Sequence, residues 1–289
     1  MSLLLGMAVL LSAASDQVLV STDEVGPWAQ LVDARDLESY MQGHLPGALH
    51  LDVDSLSETR DNTVGLLKPM SELKELFYAA RIDPTSPVVV YSGLETSSEL
   101  KQATRLFWIL EYAGFPRVHL LDGGLHKWRS EGRPIVTGAA GGPRVEASAY
   151  ESLKPRVARY ASREDVLTMQ GTKKGIIADL RADTLYRGEA KKDFIARGGH
   201  ITGAENHPAP SFVDPEGYTF KGPEVIRDLL NANRVAGDTP VVTYCNTGRD
   251  ATIGYVAYRI AGFKDVAVYD GSMAEWGNDA TCPMSTTEK

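Results

Sequence analysis

The run Pro240-Val241-Val242-Thr243-Tyr244-Cys245-Asn246-Thr247-Gly248-Arg249-Asp250, continued by ATIGYVAYRI at 251–260 and AGFKDVAVYD at 261–270, decides the fold. Val241 to Tyr244 is a short β-branched run after a proline, the pattern of a buried parallel strand. Thr252 to Ala261 is apolar at helical spacing and stops at Gly262, a good helix-ending residue. Val266 to Tyr269 resumes a strand. Strand, helix and strand at this spacing make a βαβ unit, which calls for a parallel sheet.

Working outward, the same pattern occurs earlier in the chain. Pro87-Val88-Val89-Val90-Tyr91 answers to Pro240–Tyr244, and Ala113-Gly114-Phe115 answers to Ala261-Gly262-Phe263. Leu31-Val32-Asp33-Ala34-Arg35 answers to Ile177-Ala178-Asp179-Leu180-Arg181, and Gly43-His44-Leu45-Pro46-Gly47-Ala48 to Gly199-His200-Ile201-Thr202-Gly203-Ala204. Asp122-Gly123-Gly124 and Trp128 answer to Asp270-Gly271-Ser272 and Trp276. The offset is 146 at Asp-x-Arg, 156 at Gly-His, 153 at the Tyr and 148 at Ala-Gly-Phe. The second half therefore gains ten residues before His200, and the first half five after Tyr91. A repeat fixes the architecture, and insertions fall in loops, where function concentrates. The expected fold is α/β: two tandem domains, each an open parallel sheet flanked by helices. They are placed at 18–136 and 161–289, with a linker at 137–160 that opens with the small, flexible stretch TGAAGGP. Ser162 followed by Asp165 marks the start of the second domain's first helix.

The composition is that of a globular protein, with 43% hydrophobic and 24% charged side chains in 289 residues. Lys plus Arg number 30 against 38 Asp plus Glu, a net charge of −8 with no basic run, which argues against nucleic acid as a partner. Two cysteines make neither a disulfide framework nor a four-thiolate zinc site. No run of about 20 apolar residues is present, so no membrane-spanning helix is expected. Leu3 to Leu11, followed by Ser12-Ala13-Ala14, suits the apolar core and cleavage region of an export signal, although no basic residue precedes it. Residues 1–17 are thus read as a leader and the protein as exported, to the periplasm or beyond. The alternative is a buried first helix in a cytoplasmic protein.

Cys245 carries the chemistry. It directly follows a strand and precedes a helix, and the crevice at the carboxyl end of such a strand is where open parallel sheets bind ligands. Amide N–H groups of the loop Asn246–Ala251, with the helix N-terminus, form an anion nest that should lower the thiol pKa from about 8.5. Gly248 lets the loop curl with positive φ, and Arg249 offers a fixed charge to an anionic substrate. Asp250 either opposes a thiolate or favours the first turn of the helix. No GxxxxGK[ST], GxGxxG or HExxH occurs, so no cofactor or metal is called for. A cysteine phosphatase would need arginine six residues after the cysteine, where Ala251 stands.

The repeat, the Asp-x-Arg, the Gly-His-x-x-Gly-Ala, the strand–Cys loop and the Asp-Gly-Gly…Trp together resemble the tandem rhodanese-type sulfurtransferases, over about Val18 to Pro283. The resemblance implies an inactive first domain, with Ser92 where the thiol would be, and a catalytic second domain. It implies sulfur transfer by double displacement: Cys245 takes the outer sulfur of thiosulfate as a persulfide, and cyanide or a thiol, a protein thiol included, removes it. The alternatives are 3-mercaptopyruvate as donor, or a persulfide carrier of low turnover. Relatives place a substrate-binding arginine where this chain has Leu185; Arg187 stands two residues on, and Arg181 is the other candidate. Cys282, His44, His200, Trp128 and Trp276 read as structural.

Overall fold

The structure is a computed structural model that describes residues 17–139, 141–216, 218–231 and 239–286. The leader reading, apart from its last residue, falls outside the described residues.

The first half runs β1 (Leu19–Val20), β2 (Gln30–Asp33), α1 (Leu37–Gln42), β3 (Leu49–His50), β4 (Ser57–Arg60), β5 (Thr63–Leu67), α2 (Met70–Ala79), β6 (Val88–Tyr91), α3 (Ser97–Ala113), β7 (Val118–Leu121) and α4 (Gly124–Ser130). The second runs β8 (Tyr160–Ala161), α5 (Arg163–Thr172), β9 (Ile176–Asp179), α6 (Asp183–Tyr186), β10 (His200–Ile201), β11 (Glu205–Asn206), α7 (Pro223–Asn231), β12 (Val241–Tyr244), α8 (Arg249–Ile260), β13 (Val266–Tyr269), α9 (Ser272–Trp276) and β14 (Met284–Ser285). The two five-stranded sheets are parallel and have matching orders, β1-β7-β6-β2-β3 and β8-β13-β12-β9-β11. In the second sheet Val242 of β12 lies between Ile177 and Ala267. All four residues of β12 are buried, as the β-branched run requires of a central strand covered on both faces.

One apolar cluster continues from the inner face of the first sheet through α3 and α8 to the inner face of the second. Separate clusters around Trp128 and Trp276 cover the two outer faces. Helices α3 and α8 meet about a pseudo-two-fold axis, so residues 148 apart in sequence touch one another. Thr104 and Thr252 share a hydroxyl hydrogen bond at 2.9 Å, and Arg259 pairs with Glu111 at 2.8 Å. The hairpin β4–β5, which the sequence reading did not anticipate, turns at Asp61 and Asn62, both at positive φ, and reaches across to α9.

The connecting stretch is more structured than TGAAGGP suggests. Residues 147–152 and 157–159 form 3-10 turns, Tyr150 is buried against Phe77, and the Trp108 indole N–H donates to the Arg159 carbonyl at 2.7 Å. Among the described residues no helix is long and apolar enough to cross a membrane.

Candidate active site

Cys245 stands at the carboxyl end of β12, the central strand of the second sheet, and α8 begins four residues later. Gly248 makes the curl possible at φ +76°, where an added Cβ would lie 2.9 Å from both Arg105 Nη1 and Asp270. The amides of Ala251, Thr247 and Asp250 are directed at the thiol and favour its ionised form. The nest inferred from the sequence is therefore present.

The net shift of the thiol pKa is nevertheless opposite to the expectation. Cys245 is 0% exposed, and burial, with the nearby Asp250 carboxylate second, pushes its pKa above the ordinary thiol value in spite of the three amides. The N–H groups of the loop are visible in the sequence, whereas the desolvation of the thiol is a property of the folded chain.

The loop is held from behind by Ser272. Its hydroxyl accepts from Cys245 N–H at 3.1 Å and Gly248 N–H at 3.0 Å, and donates to the Tyr269 carbonyl at 2.8 Å. Met273 N–H and Ala274 N–H in turn donate to the carbonyls of Cys245 and Asn246. Ser272 has φ +49°, a left-handed conformation that costs a side chain roughly 1 kcal/mol or more. In the thiol-less half the equivalent residue is Gly124, at φ +51°. That substitution was visible in the repeat alignment as a hint, since the half with the cysteine also has the serine.

The charged residues near the loop are paired. Arg249 is ion-paired with Asp54 of the first half rather than offered free to a substrate. Asp250 is paired with Lys101 on α3 at 2.9 Å. Both readings of Asp250 apply: it opposes the thiolate and sits in the first turn of α8. Arg181 is buried, grips both oxygens of Asp179 and donates to the Gly199 carbonyl at 2.8 Å. Arg35 does the same with Asp33 and Gly43 in the half without a thiol, so the geometry is a brace common to both domains. Tyr244 completes it by donating to Asp179 at 2.6 Å. Arg187 pairs with Asp183 at 2.6 Å and Glu189 at 3.5 Å, and no hydrogen bond or ion pair joins it to the Cys245 loop among the described residues.

His44 and His200 stack on Tyr40 and Tyr186 and bond the carbonyls of those residues. Cys282 is buried and, like Cys245, unpaired; its carbonyl accepts from Arg197 at 3.0 Å. Among the described residues no cluster of His, Cys, Asp and Glu could hold a metal ion. In the first half the loop after β6 is longer, and Ser92 donates to the Gln102 side chain at 3.0 Å.

Comparison with known proteins gives one consistent result. The rhodanese-like domain family matches twice, at residues 19–131 and 162–279. A sulfur carrier protein of Thermus thermophilus, TtuD, is 32% identical over 96% of this chain and 99% of its own length. A thiosulfate sulfurtransferase of Azotobacter vinelandii is 32% identical over 88% of this chain and 90% of its own. Among solved structures, SseA of Escherichia coli, described as a 3-mercaptopyruvate sulfotransferase, superposes with a TM-score of 0.76 at 24% identity, over 89% of this chain and 98% of SseA.

Proposed function

This chain belongs to the tandem-domain rhodanese sulfurtransferases and its activity is sulfur transfer; we propose that it takes sulfane sulfur from thiosulfate onto Cys245 and passes it to cyanide or a thiol. The observation that carries this reading is the single thiol at the end of β12 with three backbone amides aimed at it. In the first step the Cys245 thiolate attacks the outer sulfur of thiosulfate. A new S–S bond forms, the old one breaks, and sulfite leaves with the bonding electron pair. In the second step cyanide carbon, or a thiolate, attacks the outer sulfur of the persulfide and returns Cys245 to the thiolate. The overall exchange needs no oxidant. The thiolate forms by loss of the thiol proton to water, a loss that burial and Asp250 oppose. Once the charge forms, the amides of Thr247, Asp250 and Ala251 stabilise it in place of water, and they do the same for the persulfide anion. Residues 18–136 then serve as the non-catalytic domain and 161–289 as the catalytic one.

A second reading, a persulfide carrier of low turnover, is favoured by the full burial of Cys245 and the ion-paired state of Arg249 and Lys101. TtuD is a relative named as a sulfur carrier. Steady-state assays with thiosulfate and 3-mercaptopyruvate side by side, with cyanide as acceptor, decide among these. Higher kcat/KM with thiosulfate is expected. Preference for 3-mercaptopyruvate would reverse the donor assignment, and full persulfide formation without appreciable turnover would favour the carrier.

A further inference from the structure

A buried arginine of the first domain reaches the thiol loop of the second. Arg105 lies on α3 and is 0% exposed. Its Nη1 is 2.6 Å from Asp270 Oδ1, itself 1% exposed, and 3.4 Å from the carbonyl oxygen of Gly248. Its Nη2 donates to the carbonyl of Gly65 at 3.1 Å, in the hairpin β4–β5. The other carboxylate oxygen, Asp270 Oδ2, accepts a hydrogen bond from Leu67 N–H of that hairpin at 2.7 Å. Gly65 in turn comes so close to Thr247 that an added Cβ would stand 3.3 Å from Thr247 Cβ. Arg105 and Asp270 thus join three things: the Gly248 turn, the hairpin that covers Thr247, and the segment that leads into Ser272.

The pseudo-symmetry shows that this is not a general device for docking the domains. The residue 148 positions after Arg105 is Ile253, so the mirror-related arginine does not exist. Asp122, the mirror of Asp270, takes part in no ion pair among the described residues, whereas Asp270 faces Arg105. On that side Tyr218 and Phe220 of the second domain lie beside Asp122 and Leu94. Only the face that meets a thiol loop carries the cation. Stability does not explain it well either. A buried ion pair is seldom better than an apolar pair of the same size, and Arg105 Nε has no acceptor among the described residues. What the pair does supply is a fixed direction for the Gly248 carbonyl, hence for the peptide that starts α8 and the amides beyond it.

We propose that Arg105 is a positioning residue for sulfur transfer: through Asp270, Gly248 and Gly65 it holds the amide nest of the Cys245 loop in its reactive shape, so that the thiol-less domain supplies part of the active site. This rests on Cys245 being the sulfur-bearing group. The arginine touches neither the thiol nor the donor; it acts through the loop.

The test uses the full chain and two variants. Arg105→Lys keeps the charge opposite Asp270 but lacks the fork needed to reach both carbonyls. The double variant Arg105→Met/Asp270→Asn removes both charges together, so that no carboxylate is left buried alone. Each is measured for thermal unfolding, for kcat and KM with thiosulfate, and for the pH dependence of Cys245 alkylation by iodoacetamide. The expected result is a cooperative fold, a fall in kcat of about tenfold or more with KM changed less, and an alkylation midpoint about one pH unit higher, because fewer amides meet the thiolate. Arg105→Lys decides the matter should the double variant fail to fold. Folded variants with wild-type kcat and a wild-type midpoint would overturn the proposal. A wild-type protein that gains no sulfur on Cys245 would instead overturn the reading on which it rests, and the alkylation profile would still report on the loop.

Discussion

At the scale of single residues, Cys245 is the point where two opposing influences meet. Three amides lower its pKa, and burial with Asp250 raises it by more. A raised thiol pKa means that the folded protein keeps its proton where an unfolded thiol has lost it. Its contribution to stability is present below the ordinary pKa near 8.5 and is lost as pH rises through the folded value. The midpoint of Cys245 alkylation against pH is therefore expected above the ordinary thiol range. Asp250→Asn, which takes away the nearest negative charge, is expected to lower that midpoint by about half a unit or more. Lys101→Met, which strips Asp250 of its counter-charge, is expected to raise it. A midpoint that ignores both substitutions would show that the carboxylate does not act on the sulfur. The cysteine and its nest were legible from the sequence, because strand, loop and helix are consecutive. The sign of the pKa shift was not, because desolvation comes from residues distant along the chain.

At the scale of elements, the signals that were readable are local ones. Ser162 caps α5 and forms a capping box with Asp165: Asp165 N–H donates to Ser162 Oγ at 3.1 Å, and the Asp165 carboxylate accepts from Ser162 N–H at 2.8 Å. Such a cap is worth about 1 kcal/mol. Ser162→Ala is expected to lower Tm by roughly 2–4 °C and leave thiosulfate kinetics unchanged, since the cap lies at the amino end of α5. Calorimetry and a rate assay check both parts, and an unchanged Tm would mean that the cap carries no weight. The hairpin β4–β5 escaped the reading although Asp61-Asn62 is a turn pair of the kind that closes two-residue hairpins. Its flanks, Ser57–Arg60 and Thr63–Leu67, alternate poorly between apolar and polar, and its function appears only when it lies over Thr247.

At the scale of the whole molecule, the internal repeat announced two α/β domains, and the offsets located the loops that differ. What a repeat cannot announce is which copies of a position meet. Residues 148 apart occupy equivalent places in the two halves, and the differences between them, Arg105 against Ile253, Glu111 against Arg259 and Gly124 against Ser272, make an asymmetric machine from a symmetric frame. Arg249 and Arg181, expected from the sequence to bind the substrate, are each held by a carboxylate. Their partners Asp54 and Asp179 decide what they are free to do, and Asp54 belongs to the other domain. The central claim, that sulfur is carried on one named thiol, is tested most directly by the mass of the cysteine-bearing peptides after the full chain is treated with thiosulfate. One added sulfur atom on the Cys245 peptide, none on the Cys282 peptide, and none anywhere in Cys245→Ser is the expected result. Sulfur found on Cys282, or on neither cysteine, would contradict it.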